Sequence, residues 1–178
     1  MAEIDLTVDL GKLVLNNPVI AASGTFGYGL EYTDFLDLND LGGFSTKGLS
    51  INPKIGNPVP RVIETSSGML NAIGLENIGL EAFLSEKLPQ LKNFNTRIIV
   101  NFFGDTTPEY VEMAQALSDV ERVDALEMNV SCPNVEKGGL QWPCPTTDHP
   151  GTPFLHAEKF GTDSGKGKFR PLTYRKPG

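Results

Sequence analysis

Only two cysteines, Cys132 and Cys144, occur among 178 residues. They have neither the spacing of a metal site nor the density of a disulfide scaffold, so no metal is expected and a reducing cytoplasm is the default compartment. Histidine is as scarce, with two residues, and there is one tryptophan. No apolar run approaches the roughly 18 residues that a membrane-spanning helix requires. The amino terminus also lacks the basic-then-apolar pattern of a signal peptide. Lys and Arg number 15 against 22 Asp and Glu, a net charge of -7. That balance argues against a general nucleic-acid binder, which needs a basic face. What is present is ordinary globular composition, 39% apolar and 21% charged, enough for one real core.

The scarcity is uneven. Beyond Leu140 the chain has no Val, Ile or Met, and Leu155 and Leu172 are its only branched aliphatics. The same stretch holds six prolines, both histidines and the tryptophan, and it carries a net charge of +3. Such a segment cannot bury enough apolar surface to continue an α/β core. A boundary is therefore expected near Leu140, with residues 1–140 as the organised part and 141–178 as an irregular Pro/Gly-rich tail, disordered or read out of frame.

Within the organised part, Ile4 to Leu10 alternates apolar and polar residues, Gly11-Lys12 is a turn, and Leu13 to Leu15 returns as a short hairpin partner. Pro18 to Ala22 reads as a fully buried strand ending in Ser23-Gly24-Thr25-Phe26-Gly27-Tyr28-Gly29, where the glycines admit close backbone approach. Their order is the reverse of the dinucleotide fingerprint. Gly42 to Thr46 is a second short strand that delivers Lys47. Residues 53–60 are loop, Arg61 to Thr65 resumes a β pattern, and Ser67 to Asn77 reads as a loop exposing Asn71 and Asn77. Leu80, Phe83, Leu84, Leu88 and Leu91 recur at helical spacing from near Gly79, with Pro89 expected to end or kink the helix. Arg97 to Gly104 is the strongest buried strand, with Asn101 its one polar intruder. Thr107-Pro108-Glu109 is a helix start, with Thr107 as the cap.

The stretch that organises the chain is Ala125-Leu126-Glu127-Met128-Asn129-Val130-Ser131-Cys132-Pro133-Asn134. It opens as a strand and turns abruptly into amides and a thiol, with Pro133 forcing the chain out of regular structure. A buried strand followed by an ordinary turn is the bland alternative, since a free cysteine is commonly just a small hydrophobe. Against it, earlier strands end the same way, in Ser23, Lys47 and Asn101. Alternating β and α elements imply parallel strands, and residues at the carboxyl ends of successive barrel strands face one mouth. Lys47, the only cation expected there, suits a carboxylate; the amides donate and accept; Cys132 can move a proton. The ligand this suits is planar, amide-rich and anionic.

Six runs, in order, resemble class 1 dihydroorotate dehydrogenase: Ala22 to Gly29, Thr46-Lys47-Gly48, Gly56-Asn57-Pro58-Val59-Pro60-Arg61, Gly68 to Leu75, Val100-Asn101, and Asn129 to Asn134. The wording from Met69 to Leu75 is most similar to the NAD-linked 1B catalytic subunit. The resemblance, over residues 3–140, implies the amino-terminal half of a TIM (β/α)8 barrel and FMN-dependent oxidation of dihydroorotate to orotate in pyrimidine biosynthesis. It implies FMN contacts from Ser23, Lys47, Gly48, Asn101 and Asn129. Substrate contacts are implied from Lys47, Asn71, Ala72, Ile73, Gly74, Leu75, Asn129 and Asn134. Cys132 takes the place of the catalytic base, removing the C5 proton while hydride leaves C6 for the flavin. A homodimer is implied, with a separate electron-transfer subunit that carries FAD and an iron-sulfur cluster and reduces NAD.

A complete (β/α)8 barrel needs about 250 residues and builds its phosphate site from its last loops, so a fragment is expected. Two other readings stand beside that one. In one, the half-barrel is an inactive binding module whose basic tail docks an acidic partner. In the other, the enzyme is of the 1A type and uses fumarate.

Overall fold

The computed structural model describes residues 4–130 of the chain. Two short antiparallel strands open it, β1 (Val8–Asp9) and β2 (Val14–Leu15), as the hairpin expected from the sequence. Four strands then form one parallel sheet: β3 (Ile20–Ala21), β4 (Gly43–Ser45), β7 (Arg97–Phe102) and β8 (Ala125–Met128), paired in that order. Two single-turn 3-10 segments, Leu30–Tyr32 and Leu38–Asp40, bridge β3 to β4. The antiparallel hairpin β5 (Val62–Thr65) and β6 (Gly68–Asn71) stands outside the main sheet. Helical segments α1 (Gly79–Ala82) and α2 (Leu88–Leu91) precede β7, and α3 (Thr107–Ser118) links β7 to β8.

One face of the sheet carries the core. Successive residues of a strand point to opposite faces, and Phe44, Ile98, Val100 and Phe102 are all at most 2% exposed. They pack with Phe83, Leu88, Leu91, Met113, Ala114 and Leu117 from the helices, and Leu126 and Met128 of β8 join the same cluster. Each such side chain contributes about 1.5–3 kcal/mol by leaving water. The opposite face therefore receives Gly43 and Ser45, Ile99 and Asn101, and Ala125 and Glu127.

Three local expectations change, and a fourth holds in part: Pro89 disturbs its helix but does not end it. The helix widens into a π-turn over Phe83–Lys87, closed by the Leu88 N–H donating to Phe83 O, and helical structure resumes through the proline. A wide turn placed before a residue that lacks an amide donor is a known way to absorb the missing bond. Residues Gly68 to Asn71 are strand rather than loop, and Asn77 is buried at 5% exposure. Ile20 of β3 is 40% exposed, not fully buried, because its register with Gly43 puts it on the face away from the helix-side core. The cap of α3 is Thr106, one residue before the expected Thr107, with its Oγ1 accepting from Glu109 N.

Candidate functional site at the carboxyl ends of the parallel strands

The parallel sheet sends its strand ends to one side, and the candidate residues follow directly from them. Ser23, just past β3, donates its hydroxyl to Thr46 O at 2.6 Å, tying the glycine loop to the end of β4. The loop closes further where Lys47 N donates to Gly27 O. Gly29 has φ +87, and a Cβ there would stand 2.9 Å from the Phe44 ring. That glycine makes room for the core as well as for the turn.

Asn101, the last residue but one of β7, lies on the face away from the helices. Its backbone N–H donates to Thr46 Oγ1, and its carbonyl accepts from Leu49 N. Its side chain is buried, yet Oδ1 has no hydrogen-bond partner. A buried amide oxygen without a donor costs on the order of 1–3 kcal/mol, so it signals a place for something that donates. Gly48 stands against it: a Cβ on residue 48 would lie 2.9 Å from Asn101 Oδ1. Any side chain there would close the space around the acceptor. Asn129 lies one strand further on, its N–H donating to Phe102 O and its carbonyl accepting from Tyr110 Oη at 2.6 Å. The second bond pins the end of β8 to α3.

Lys47 is the expected cation, but it does not stand alone. Its Nζ lies 3.9 Å from Glu76 Oε2, and Arg61 Nη2 lies 2.6 Å from the same oxygen. Glu76 is thus shared by two cations, and Arg61 also donates to Ile55 O and Asn57 O. The sequence reading gave no role to Arg61 or Glu76, although the Asn57-to-Arg61 run carried the signal. Tyr28 sits close by: burial, then the charges of Glu31 and Glu76, push its hydroxyl above the usual tyrosine range, against the opposing Ile78 N–H bond.

The expected substrate loop is tethered from beneath. Asn57 Nδ2 donates to Ala72 O, Asn57 N donates to Ile73 O, and Ala72 N donates to Arg61 O. Gly74 and Leu75 both take positive φ, 77 and 57, where a branched or bulky residue is strained. Asn71 is exposed at the end of β6. Asn77 is structural: its side chain bonds Ser50, Gly79 N and Leu75 O. Cys132 and Asn134 lie outside the described residues. Ser23, Lys47, Gly48, Asn101 and Asn129 are brought to the ends of neighbouring strands, while Asn71 to Leu75 hang from the hairpin beside Arg61. Among the described residues, no three His, Cys, Asp or Glu form a metal-holding group, and no helix is long and apolar enough to cross a membrane.

This arrangement of lysine, amides and a glycine at parallel strand ends lies in a segment that one family model matches. That model, dihydroorotate dehydrogenase, covers residues 5–144. The chain belongs to the dihydroorotate dehydrogenase family. Among curated relatives, the chain is 65% identical over 129 residues to the dihydroorotate dehydrogenase B (NAD(+)) catalytic subunit of Thermodesulfovibrio yellowstonii, covering 72% of this chain and 43% of the relative. It is 57% identical over 136 residues to the subunit of the same name from Pelobacter propionicus, covering 76% and 45%. The chain thus spans less than half the length of the curated relatives it matches. Among solved structures, ligand-free DHODH from Eimeria tenella superposes with a TM-score of 0.53 at 22% identity, over 74% of this chain and 40% of that one. The same enzyme in complex with ferulenol gives 0.51 at 21% identity, over 74% and 38%. That likeness establishes the fold, and the four parallel strands are half of a (β/α)8 barrel.

Proposed function

We propose that this segment is the amino-terminal half of the catalytic barrel of an FMN-dependent, NAD-linked dihydroorotate dehydrogenase, acting in the cytoplasm on dihydroorotate. The observation that carries it is the buried, unpartnered Oδ1 of Asn101 beside Gly48, next to the strand that ends in Lys47. The residues fit a flavin ring. A flat heterocycle needs side-chain-free space at its edge, which Gly48 supplies. It also needs an acceptor for its ring N–H, which Asn101 Oδ1 supplies. FMN, when bound, supplies the hydride acceptor.

Each remaining role belongs to a residue of the chain. Ser23, Lys47, Gly48, Asn101 and Asn129 hold the flavin. Lys47, Asn129, Asn134 and the loop of Asn71, Ala72, Ile73, Gly74 and Leu75 hold the substrate. Lys47, drawn at rest toward Glu76, turns to the substrate carboxylate, which competes for it as a second anion. Arg61 keeps Glu76 in place during the exchange, because it holds the same oxygen at 2.6 Å. Cys132 takes the proton from substrate carbon. A thiol with an ordinary pKa of about 8.5 needs nearby positive charge for that task, and Lys47 is the cation available. A separate electron-transfer subunit, with FAD and an iron-sulfur cluster, would supply the route for electrons to NAD, and two copies of the catalytic chain would pair in the assembly. We place the boundary of this half-barrel near Leu140, with the tail of 141–178 beyond it; the family match ends at residue 144.

The test is complementation. The 178-residue chain is co-expressed with the carboxyl-terminal remainder of the Thermodesulfovibrio yellowstonii relative. The purified complex should be yellow and bleach on dihydroorotate. In that complex Cys132→Ser should retain flavin and slow bleaching by about 10²-fold or more. A colourless, well-folded complex would instead favour a binding module, and unchanged bleaching would remove Cys132 from the chemistry.

A further inference from the structure

Glu127 has no part in the function proposed above, yet it lies directly beneath the site. On β8, Leu126 and Met128 pack into the helix-side core, so Glu127 points to the opposite face. Its register partner on β7 is Asn101, which places the two side chains next to one another at the strand spacing of about 4.8 Å. Ser45 lies on β4, the strand beyond β7, and donates its Oγ–H to the Glu127 carboxylate. The carboxylate therefore reaches across the inner face of β7, from a residue that is itself exposed to a hydroxyl whose residue is 4% exposed. Among the described residues it forms no ion pair. Lys47 and Asn129 follow Ser45 and Glu127 by two positions each. The Ser45–Glu127 pair is thus the layer just below the strand ends.

A primary amide beside a carboxylate has one favourable orientation. Its NH2 turns toward the anion, because the reverse sets two acceptor oxygens against each other. Asn101 Oδ1 lies toward Gly48 without a donor, the polarity in keeping with an NH2 that faces the carboxylate. We propose that Glu127 is a positioning residue that fixes the amide polarity of Asn101, so that the site offers a carbonyl acceptor to a ring N–H of its ligand. The inference rests on the flavin reading, and oxidised flavin has a single ring N–H, at N3. Glu127 thereby selects for that N–H without touching the ligand. Ser45 holds the carboxylate in place through a charge-assisted bond, stronger than one between neutral groups.

A flavin lacking that N–H makes the test. The complemented complex is titrated with FMN and with 3-methyl-FMN by flavin fluorescence. The unaltered complex should prefer FMN by about tenfold, the worth of one hydrogen bond to a buried acceptor. Glu127→Gln keeps the shape but lets the neighbour both donate and accept. It should shrink that preference to about threefold or less, mainly by weakening FMN. Glu127→Asp should restore part of it, and Ser45→Ala, which frees the carboxylate but keeps the charge, should lower it in part. An undiminished preference in Glu127→Gln, or none in the unaltered complex, overturns the inference and leaves the flavin site standing. Failure of the unaltered complex to bind either flavin overturns the flavin reading itself.

Discussion

Asn77 and Asn101 are the same side chain, buried to the same depth, and they do opposite things. Asn77 spends its donors and acceptor on Ser50, Leu75 and Gly79. Asn77→Leu should therefore strand several polar groups at about 1–3 kcal/mol apiece. Amide exchange at Ser50 and Gly79 should accelerate at least tenfold, and unchanged protection would show those bonds to be incidental. Asn101→Leu, by contrast, removes an acceptor that has no donor. Since it also removes the NH2 that faces Glu127, it should lower the unfolding midpoint of the flavin-free complex less than Asn77→Leu does, while FMN binding falls at least tenfold. Lys47→Ala should weaken orotate by about 2–5 kcal/mol if the lysine meets the carboxylate in a desolvated site; a loss under a tenth of that returns it to the surface. Tyr28 gives a pH dependence. Its folded-state hydroxyl holds its proton above the ordinary value, so its contribution is intact below about pH 10 and is lost as pH rises through the folded-state value. Tyr28→Phe should flatten that alkaline decline in an unfolding series. Of these residues, sequence pointed to Lys47, which follows a short strand, and to Asn101, the one polar residue within a buried apolar run. It misplaced Asn77, since an Asn between glycine-rich residues reads the same whether its bonds run to solvent or to Ser50.

Elements were legible where one face is buried and obscure where none is. β7 stands out as a near-continuous apolar run, of which Ile98, Val100 and Phe102 are buried. The hairpin β5–β6 is different: all eight of its residues are exposed, so no burial rhythm marks the second strand, and only its partner reveals it. The segment from Gly79 to Leu91 was legible as a helix but not in its interior. A proline in a helix interior costs about 3 kcal/mol, but after the π-turn at Phe83–Lys87 Pro89 falls in the first turn of α2, where its missing N–H is tolerated. The start of α3 was misplaced by one residue because Thr106 and Thr107 are equal candidates by type. The structure distinguishes them by the Thr106 bond to Glu109 N. Thr106→Ala should accordingly lower stability by about 1 kcal/mol, with Thr107→Ala changing it by less than half as much; equal losses would contradict the cap.

At the scale of the whole molecule, the sheet has two rims. β3 and β8 each have a paired neighbour on one side only. Val19 and Ile20 at the first rim are 55% and 40% exposed. Unpaired strand edges with apolar side chains invite self-association. The isolated 178-residue chain should therefore elute from size exclusion as oligomer or aggregate, bind FMN weakly and show no turnover. A monodisperse monomer with one tightly held FMN would defeat that expectation, and rescue by the complementing half would explain it. The class of fold was readable from the βα alternation, whereas the order of pairing was not, because adjacency is a property of space rather than of spacing. That order, β3-β4-β7-β8, is also the order of synthesis. Every new parallel strand finds its template already made, on the strand finished just before it. At a ribosome adding about 5–20 residues per second, the 22 residues between β7 and β8 take about one to four seconds to emerge. For that interval the growing rim is β7 with Asn101 uncovered. Translation speed across α3 thus becomes a lever on yield, and slow codons there would lengthen the time during which a nascent chain displays its stickiest edge.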